Sequence, residues 1–366
     1  TTPVTQAVSV TKIHDIQGSG DSVTGSGPYT VQAIVVGDFQ WNDQLSGFFI
    51  QEEDVDADSD PLTSEGIFVY CNSCSTDVSI GDLVTVTGEA SEYFGMSQIT
   101  ADTTDAVVVD SSSNSLPTPA SIDLPVVGDI DAFYEPLEGM LVNFSDDLYV
   151  SEYFQLARYG QVVLYEGGRP YQYTHMDDSP TAGEYQTHLD NLASRRVILD
   201  DDNNYQNSAL DSGVFYYPQP DGFGVGTQGE DYFRGNDIVS DLTGVLHWSW
   251  AGGFSADAWR IRPVDIGHTP TFRVNNPRPD PGTPPDVGSG SIKVASFNVL
   301  NYFSTIDDGS NSCNLQRCRG ADSADELDRQ ADKIVSALAA MDADVVGLIE
   351  LENNGDIAIG DLVSRL

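Results

Sequence analysis

Two polar residues near the end of the chain stand where apolar strand patterns stop. Residues 292–298 alternate apolar and polar residues, as a half-buried strand does, and end at Asn298. After Asp344, a continuous apolar run is typical of a strand buried on both faces, and it ends at Glu350. A carboxylate and an amide can hold a hard cation and orient a phosphate group, and one carboxylate is enough to begin a magnesium site.

A helix predicted between these two strands would bring both residues to one place. Ser323 and Glu326 have the spacing of a capping box. Apolar residues then follow at helical intervals: Leu327, Ala331, Ile334, Val335, Leu338 and Met341. If this helix is a crossover between parallel strands, the two polar residues emerge at the same edge of the sheet. The sequence therefore predicts a divalent-metal and phosphate site at that edge.

These motifs resemble the endonuclease/exonuclease/phosphatase superfamily, and within it the secreted bacterial nucleases of the ExeM and NucH type. The matching segments are 293–303 (KVASFNVLNYF), 318–322 (CRGAD) and 344–350 (DVVGLIE). The resemblance implies that Asn298 contacts the scissile phosphate region and that Glu350 ligates a catalytic Mg²⁺ or Mn²⁺. Many relatives have an aspartate where this chain has Leu300; Asn301 is the candidate substitute and a candidate nucleic-acid contact.

The resemblance also implies residues that this chain does not contain. The general-base histidine of the superfamily and its partners follow the glutamate, whereas the histidines here all precede Asn298: His14, His175, His188, His247 and His268. We expect the remainder of the nuclease domain to follow Leu366, this chain alone to be inactive, and the full-length protein to be an endonuclease acting on extracellular DNA. Two alternatives stay open: a phosphodiesterase or phosphatase of the same superfamily, and a non-enzymatic, calcium-stabilised, matrix-binding β protein.

Acidic residues dominate the charge of the chain. Its 366 residues include 43 Asp, 14 Glu, 13 Arg and 3 Lys, with a net charge of −41. An Asp-rich, Lys-poor surface stays hydrated where salt screens repulsion, which favours a secreted, halophilic protein in an extracellular setting. This charge argues against general DNA binding unless divalent cations neutralise the site. No apolar run is long enough to cross a bilayer.

Short strand patterns before the nuclease-like segment predict a mainly β protein. We predict an OB-like β-barrel module at 1–115, a second β-rich and possibly OB-like module at 116–274, and a Pro/Gly linker at 275–290. Residues 291–366 would begin an α/β four-layer sandwich with its first βαβ portion. Segments 35–39, 47–51, 63–70, 81–84 and 92–95 resemble the OB-like module of the same secreted family. Five aromatic residues are candidates for base stacking or for barrel core: Phe39, Trp41, Phe49, Tyr93 and Phe94.

An acidic loop between two predicted strands has the ligand spacing of an EF-hand-like calcium site. Positions 1, 3, 5, 7 and 12 of this loop are acidic: Asp54, Asp56, Asp58, Asp60 and Glu65. Position 6 is Ser59 in place of the usual glycine, and the flanks are predicted strands, so a solvated acidic hairpin is the alternative. A second acidic cluster, at residues 200–204, predicts either a cation site or a polar turn.

Four cysteines fall into two close pairs. Cys71 and Cys74 are three positions apart, and Cys313 and Cys318 are five apart. In an exported protein each pair most simply closes a local disulfide. A four-cysteine zinc site would have to join two different modules.

Overall fold

The structure, a computed structural model, describes residues 9–41, 44–72, 74–176, 181–206, 226–249, 258–264, 270–279, 285–307 and 319–366. The chain forms two compact units, Thr1–Pro277 and Arg278–Leu366, called here the first and second units. The protein is mainly β, with a closed five-stranded barrel and a curled sheet. Both of these sheets belong to the first unit.

The barrel follows a short helix, α1 (Ile13–Gln17). Its strands, with one added strand, are β1 (Tyr29–Phe39), β2 (Gly47–Gln51), β3 (Gly66–Tyr70), β4 (Leu83–Tyr93), β5 (Met96–Thr100) and β6 (Val107–Ser111). Strand β1 pairs with both β2 and β4, which closes the order β1-β2-β3-β5-β4, and β6 adds to β4. Strands β3 and β5 run parallel, whereas their other pairings are antiparallel. The interior is apolar, with Val31, Ile50 and Val86 fully buried.

The curled sheet has nine strands in the order β15-β12-β9-β10-β11-β14-β13-β8-β7. They are β7 (Ala120–Ile122), β8 (Leu141–Phe144), β9 (Leu148–Glu152), β10 (Val162–Glu166), β11 (Arg196–Leu199), β12 (Ile238–Val239), β13 (Leu242–Ser249), β14 (Ala258–Arg262) and β15 (Phe272–Arg273). The helices between them are α2 (Ile130–Tyr134), α3 (Leu156–Tyr159) and α4 (Ala182–Ser194), with 3₁₀ turns at Glu135–Leu137 and Tyr173–His175. Most of this unit's helical content therefore lies in connections around the sheet.

The barrel and the curled sheet share a hydrophobic core. Phe49 and Phe68 of the barrel pack in one cluster with Leu141 and Val245 of the curled sheet. The backbones approach closely at Gly66, where a Cβ would lie 2.4 Å from the carbonyl carbon of Gly139. The two β modules predicted separately from the sequence are thus packed into one unit.

The second unit contains β16 (Val294–Tyr302), α5 (Ala324–Met341), β17 (Val345–Leu351) and α6 (Ile357–Arg365). Half of the predicted capping box is present: the Ser323 side chain accepts a hydrogen bond from the Glu326 amide at 3.3 Å, but the Glu326 carboxylate accepts from the Asp322 amide at 2.9 Å instead of the Ser323 amide. Both helices pack on the strands through one apolar cluster. The prediction that β17 is buried on both faces is wrong: Val345 is 55% exposed and Ile349 is 51% exposed. The reason is that the described helices cover one face of a two-stranded sheet.

Replacing Gly66 with alanine should loosen the contact between the barrel and the curled sheet. The new methyl group would meet the backbone of Gly139, which cannot rotate away as a side chain could. We expect Gly66→Ala to lower the free energy of unfolding by about 1–3 kcal/mol, measured by urea denaturation.

The matched control is Gly183→Ala on α4, where a Cβ would have no atom within 4 Å. Alanine is the better helix former, so this variant should be unchanged or more stable by up to about 1 kcal/mol. A Gly66→Ala protein as stable as the wild type would show that the approach of the two backbones is not tight.

Candidate functional site

Asn298 and Glu350 lie on neighbouring strands, where the regular pairing of β16 with β17 stops. The prediction that the first strand ends at Asn298 is wrong, since β16 continues to Tyr302. Strands β16 and β17 are parallel, as predicted, and the Cα of Asn298 pairs with that of Ile349, the residue before Glu350. Both polar residues are exposed. The βαβ crossover therefore brings two residues that are fifty-two positions apart to one edge.

The backbone around this edge is left-handed at three residues that are not glycine. The φ angles are 53° at Leu300, 51° at Asn301 and 64° at Glu350. The strand pairing shifts here: the four steps from Asn298 to Tyr302 run opposite the two steps from Ile349 to Leu351. This is a bulge, which re-aims side chains, and left-handed backbone in such residues costs about 1–3 kcal/mol each. Strain of this kind tends to occur at ligand sites.

Hydrogen bonds hold the bulge in place. The Asn298 Oδ1 accepts from the Leu300 amide at 2.8 Å. From α5, the Gln330 Nε2 donates to the carbonyl oxygens of Val299 at 3.1 Å and Leu300 at 2.7 Å. No described residue accepts a hydrogen bond from the Asn298 Nδ2, so this amide group can still donate to a ligand.

A buried tyrosine anchors the far end of the bulge. Tyr302 is fully buried, and its hydroxyl donates to the Asp361 carboxylate. Burial and the neighbouring Asp361 raise the pKa of Tyr302 well above its usual value, so it remains a neutral donor. Arg365 holds Asp361 at 3.0 Å and Asp328 at 2.8 Å, which connects α6 to α5. The bulge is therefore fixed between both helices.

Glu350 and Glu352 differ in what they contact. The Glu352 carboxylate accepts from the Thr305 amide at 3.0 Å, from the Ser304 hydroxyl at 3.0 Å and from the Asn354 side chain at 2.8 Å. Burial acts to raise the pKa of Glu352, but the hydrogen bonds from Thr305 and Ser304 outweigh it and lower the pKa below its usual value. The Glu350 carboxylate has no hydrogen bond or ion pair to any described residue. Glu352 holds the loop, and Glu350 remains available.

The five carboxylates predicted to bind calcium are divided among several partners. The Asp54 carboxylate accepts from the Thr118 amide at 2.9 Å and its hydroxyl at 2.7 Å. Asp60 accepts from the Leu62 amide at 3.1 Å within the loop. Calcium binding at this loop stays a prediction. The described residues form two groups of possible metal ligands there, and neither Asp54 nor Asp60 belongs to them.

The two ligand groups each have their atoms within 4.8 Å of one another; they are His14, Asp58 and Glu65, and Glu52, Glu53 and Asp56. In the first, Glu65 Oε2 contacts the His14 Nδ1 at 2.9 Å and Glu65 Oε1 accepts from the Asp58 amide at 2.7 Å. In the second, the Lys12 ammonium lies 2.8 Å from Glu52 and 2.7 Å from Asp56. Each group therefore contains a basic side chain that offsets part of its negative charge.

One of the two predicted disulfides is present in the described residues. Cys71 and Cys74 are bonded, with their Cα atoms 4.8 Å apart, and Cys71 is buried against the barrel core. Cys313 and Cys318 lie outside the described residues, so the second pairing stays a prediction.

The second acidic cluster is largely buried and engaged with arginines. The Asp200 carboxylate is fully buried 2.5 Å from Arg260 and 3.3 Å from Arg262. Burial and the neighbouring Asp200 raise the pKa of Asp201 well above its usual range. The sequence predicts a cation site or a polar turn here. In the structure the charge of Asp200 is neutralised by Arg260 and Arg262.

A cavity of about 530 Å³ lies in the first unit. Phe68, Met96 and Trp248 contribute to its wall, from strands β3, β5 and β13. Tyr93 and Phe94, two of the five stacking candidates, line its rim and are 59% and 73% exposed, whereas Phe39 and Phe49 are buried core residues. These two aromatic residues were the available sequence signal, but the opposite wall comes from residues more than one hundred positions away.

His14 should make the stability of the first unit depend on pH. Burial lowers its pKa, but contact with Glu65, supported by Asp58 and Asp15, outweighs burial and raises the pKa above 6.5. The folded state therefore gains stability from protonated His14 at low pH and loses it as pH rises through the raised pKa. We expect His14→Gln to be most destabilised relative to wild type at about pH 5.5, and less so at about pH 8.5, in denaturant titrations.

The control is His188→Gln, which removes an imidazole that packs on the Tyr173 ring. A stability difference of the same size and pH dependence in this variant would contradict the role of the Glu65 contact.

Among the helices that the structure describes, none is both long and apolar enough to span a bilayer. In comparisons with known proteins, no family model matches the chain and no curated protein matches its sequence. The resemblance to secreted nucleases thus depends on the short motifs and stays a prediction.

Proposed function

We propose that the second unit carries the metal and phosphate site of a secreted, divalent-metal-dependent nuclease that hydrolyses DNA phosphodiester bonds. The observation that carries this proposal is Glu350: it is exposed, left-handed, unengaged by the described residues and adjacent to Asn298. A left-handed residue beside a bulge that hydrogen bonds hold in place fits a preformed ligand site. A carboxylate in an ordinary solvated loop would have no reason to adopt the left-handed backbone conformation of Glu350.

Glu350 supplies a carboxylate ligand for Mg²⁺ or Mn²⁺ in this proposal. The donor set fits because magnesium is usually held by one or two carboxylates and keeps several waters. When bound, the metal stabilises the charge that develops on the phosphate as water attacks phosphorus. The Asn298 Nδ2 donates to a phosphate oxygen, and Asn301 lies on the same bulge as a further substrate contact.

The residues at this edge bind and orient; they do not include a histidine base. Residues 278–366 contain no histidine, and all five histidines of the chain precede β16. The roles assigned to Asn298 and Glu350 are therefore positioning of the phosphate and ligation of the metal.

The barrel of the first unit supports the nucleic-acid part of the proposal. Its closed order β1-β2-β3-β5-β4, with β3 parallel to β5, is the strand order we expect of an OB-like barrel. OB-like barrels commonly bind oligonucleotides or oligosaccharides. The net charge of −41 opposes DNA binding, so metal at the site and screening by salt are both needed.

A non-enzymatic function has one observation in its favour. The two groups of possible ligand atoms beside the acidic loop support the calcium part of the alternative, a calcium-stabilised, matrix-binding β protein. A phosphodiesterase or phosphatase acting on small esters would use the same edge as the nuclease. Assays with DNA and with a small phosphate ester distinguish these three hypotheses.

Glu350→Gln should abolish metal-dependent cleavage of plasmid DNA by the complete gene product. The substitution keeps the shape of the side chain but removes the charge that ligates the metal. We expect cleavage with Mg²⁺ or Mn²⁺ to fall by roughly 100-fold or more, measured by gel assay of nicked and linear DNA.

Asp332→Asn is the matched control, since Asp332 is exposed on α5 and the charge change is the same. Cleavage that is equal in wild type and Glu350→Gln, or that persists in EDTA, would remove Glu350 from the site. Hydrolysis of bis(p-nitrophenyl) phosphate without DNA cleavage would favour the small-ester enzyme. No hydrolysis of either substrate by the wild type would favour the calcium-stabilised binding protein.

A further inference from the structure

Among the residues that the structure describes, no charged side chain lines the cavity in the first unit. Fourteen described residues line it, and none is Asp, Glu, Lys or Arg. Charged residues make up 20% of the chain, so a neutral lining sets this cavity apart from the rest of the surface. A ligand that fits here gains nothing from ion pairing, and a charged ligand would lose hydration without compensation.

A buried histidine gives the cavity a fixed hydrogen-bond donor. His247 lines the cavity and is 3% exposed. Arg262 donates from Nε to the His247 Nδ1 at 3.0 Å, so the ring proton of the neutral imidazole is on Nε2. Burial, together with Arg262 and Arg260, lowers the pKa of His247 well below its usual range. No described residue accepts a hydrogen bond from Nε2, which leaves this donor for a ligand.

Hydrogen bonds also orient amide and hydroxyl groups in the lining. Asn204 accepts from Arg262 at 2.6 Å and donates to the Ser249 hydroxyl at 3.1 Å. Gln98 donates to Thr100 at 3.4 Å, and no described residue donates to its Oε1. The cavity therefore presents preformed donors and acceptors that are all uncharged.

Aromatic faces are held at the rim. Tyr93 and Phe94 pack edge to face, with ring centroids 4.8 Å apart. Phe94 has a left-handed φ of 52°, a strained backbone for a bulky residue. The Trp248 Nε1 donates to the Phe94 carbonyl at 3.0 Å, which fixes the indole next to this hairpin. The strain is held by contacts between the barrel and the curled sheet.

We propose that this cavity binds a neutral sugar unit of a glycan. The C–H faces of a sugar ring pack on aromatic rings, and its hydroxyls pair with amides and an imidazole N–H. A volume of about 530 Å³ is in the range of small-molecule sites. A nucleobase would also stack, but its phosphate would meet no described cation in the lining and an overall charge of −41. This site is independent of Glu350 and of the proposed hydrolysis.

The test is calorimetric titration of the full chain with four neutral hexasaccharides: maltohexaose, cellohexaose, laminarihexaose and N-acetylated chitohexaose. We expect at least one to bind, and Phe94→Ala to weaken that binding by about tenfold through loss of the stacked face. Phe94 is 73% exposed, so its truncation should leave the fold intact. Phe154→Ala is the matched control, because Phe154 is 79% exposed and does not line the cavity.

Binding that Phe94→Ala weakens and Phe154→Ala does not would support the assignment. Failure of all four sugars to bind, or equal binding by both variants, would overturn it. Binding of a thymidine hexanucleotide or an alginate hexasaccharide that is lost in Phe94→Ala would overturn the neutral character of the ligand.

Discussion

The first unit depends on the apolar contact between its closed barrel and its curled sheet. A barrel normally buries only its interior, but here outward-facing side chains such as Phe49 and Phe68 are buried as well, against Leu141 and Val245. The approach is close enough that Gly66 and Gly139 meet backbone to backbone. Because protein interiors are close-packed, such a contact fixes the position of one sheet against the other. The remaining features of this unit follow from that fixed geometry.

Burial of β13 and β14 places charge where water cannot reach it. Arg260 and Arg262 are almost fully buried and are paired with Asp200. An unpaired ion at that depth would be strongly unfavourable, so acid and base must be present together. Burial and the same arginines lower the pKa of His247 and keep it neutral, and Arg262 fixes its tautomer. The arginines that neutralise the buried Asp200 thus also help to keep His247 uncharged in the wall of the cavity.

In the first unit the polar groups of interest are fixed by burial, whereas in the second unit they lie on strained backbone. The bulge after Asn298 is unfavourable by itself, and contacts from Gln330 and Tyr302 hold it; Glu350, on the neighbouring strand, is left-handed as well. The carboxylate of the neighbouring Glu352 accepts a hydrogen bond from Thr305, whereas the Glu350 carboxylate has no hydrogen bond or ion pair to any described residue. Two glutamates separated by a single residue therefore have different roles, and only their contacts distinguish them.

Several elements could be predicted from the sequence because their signals are local. The β1, β2, β3 and β5 ranges follow from alternation and turn residues, and the start of α5 follows from Ser323 and Glu326. The parallel pairing of β16 with β17 follows from the crossover rule. Other expectations differ: the apolar run of β17 predicts a strand buried on both faces, but Val345 and Ile349 are exposed. Such a run is typical of a strand buried on both faces, but which faces are covered depends on the elements that pack against it.

The sequence by itself determined the strand and helix periods, the cysteine pair at 71 and 74, and the convergence of Asn298 with Glu350, since each depends on neighbours in the chain or on a single crossover. Only the tertiary structure decided which carboxylates are engaged, that Asp200 is buried with Arg260, and that an uncharged cavity forms beside His247. Those outcomes depend on side chains tens to more than one hundred positions apart, such as Asp200 and Arg260, or Phe94 and Trp248. Local patterns carry no information about such distant partners, because burial and pairing are properties of the assembled core.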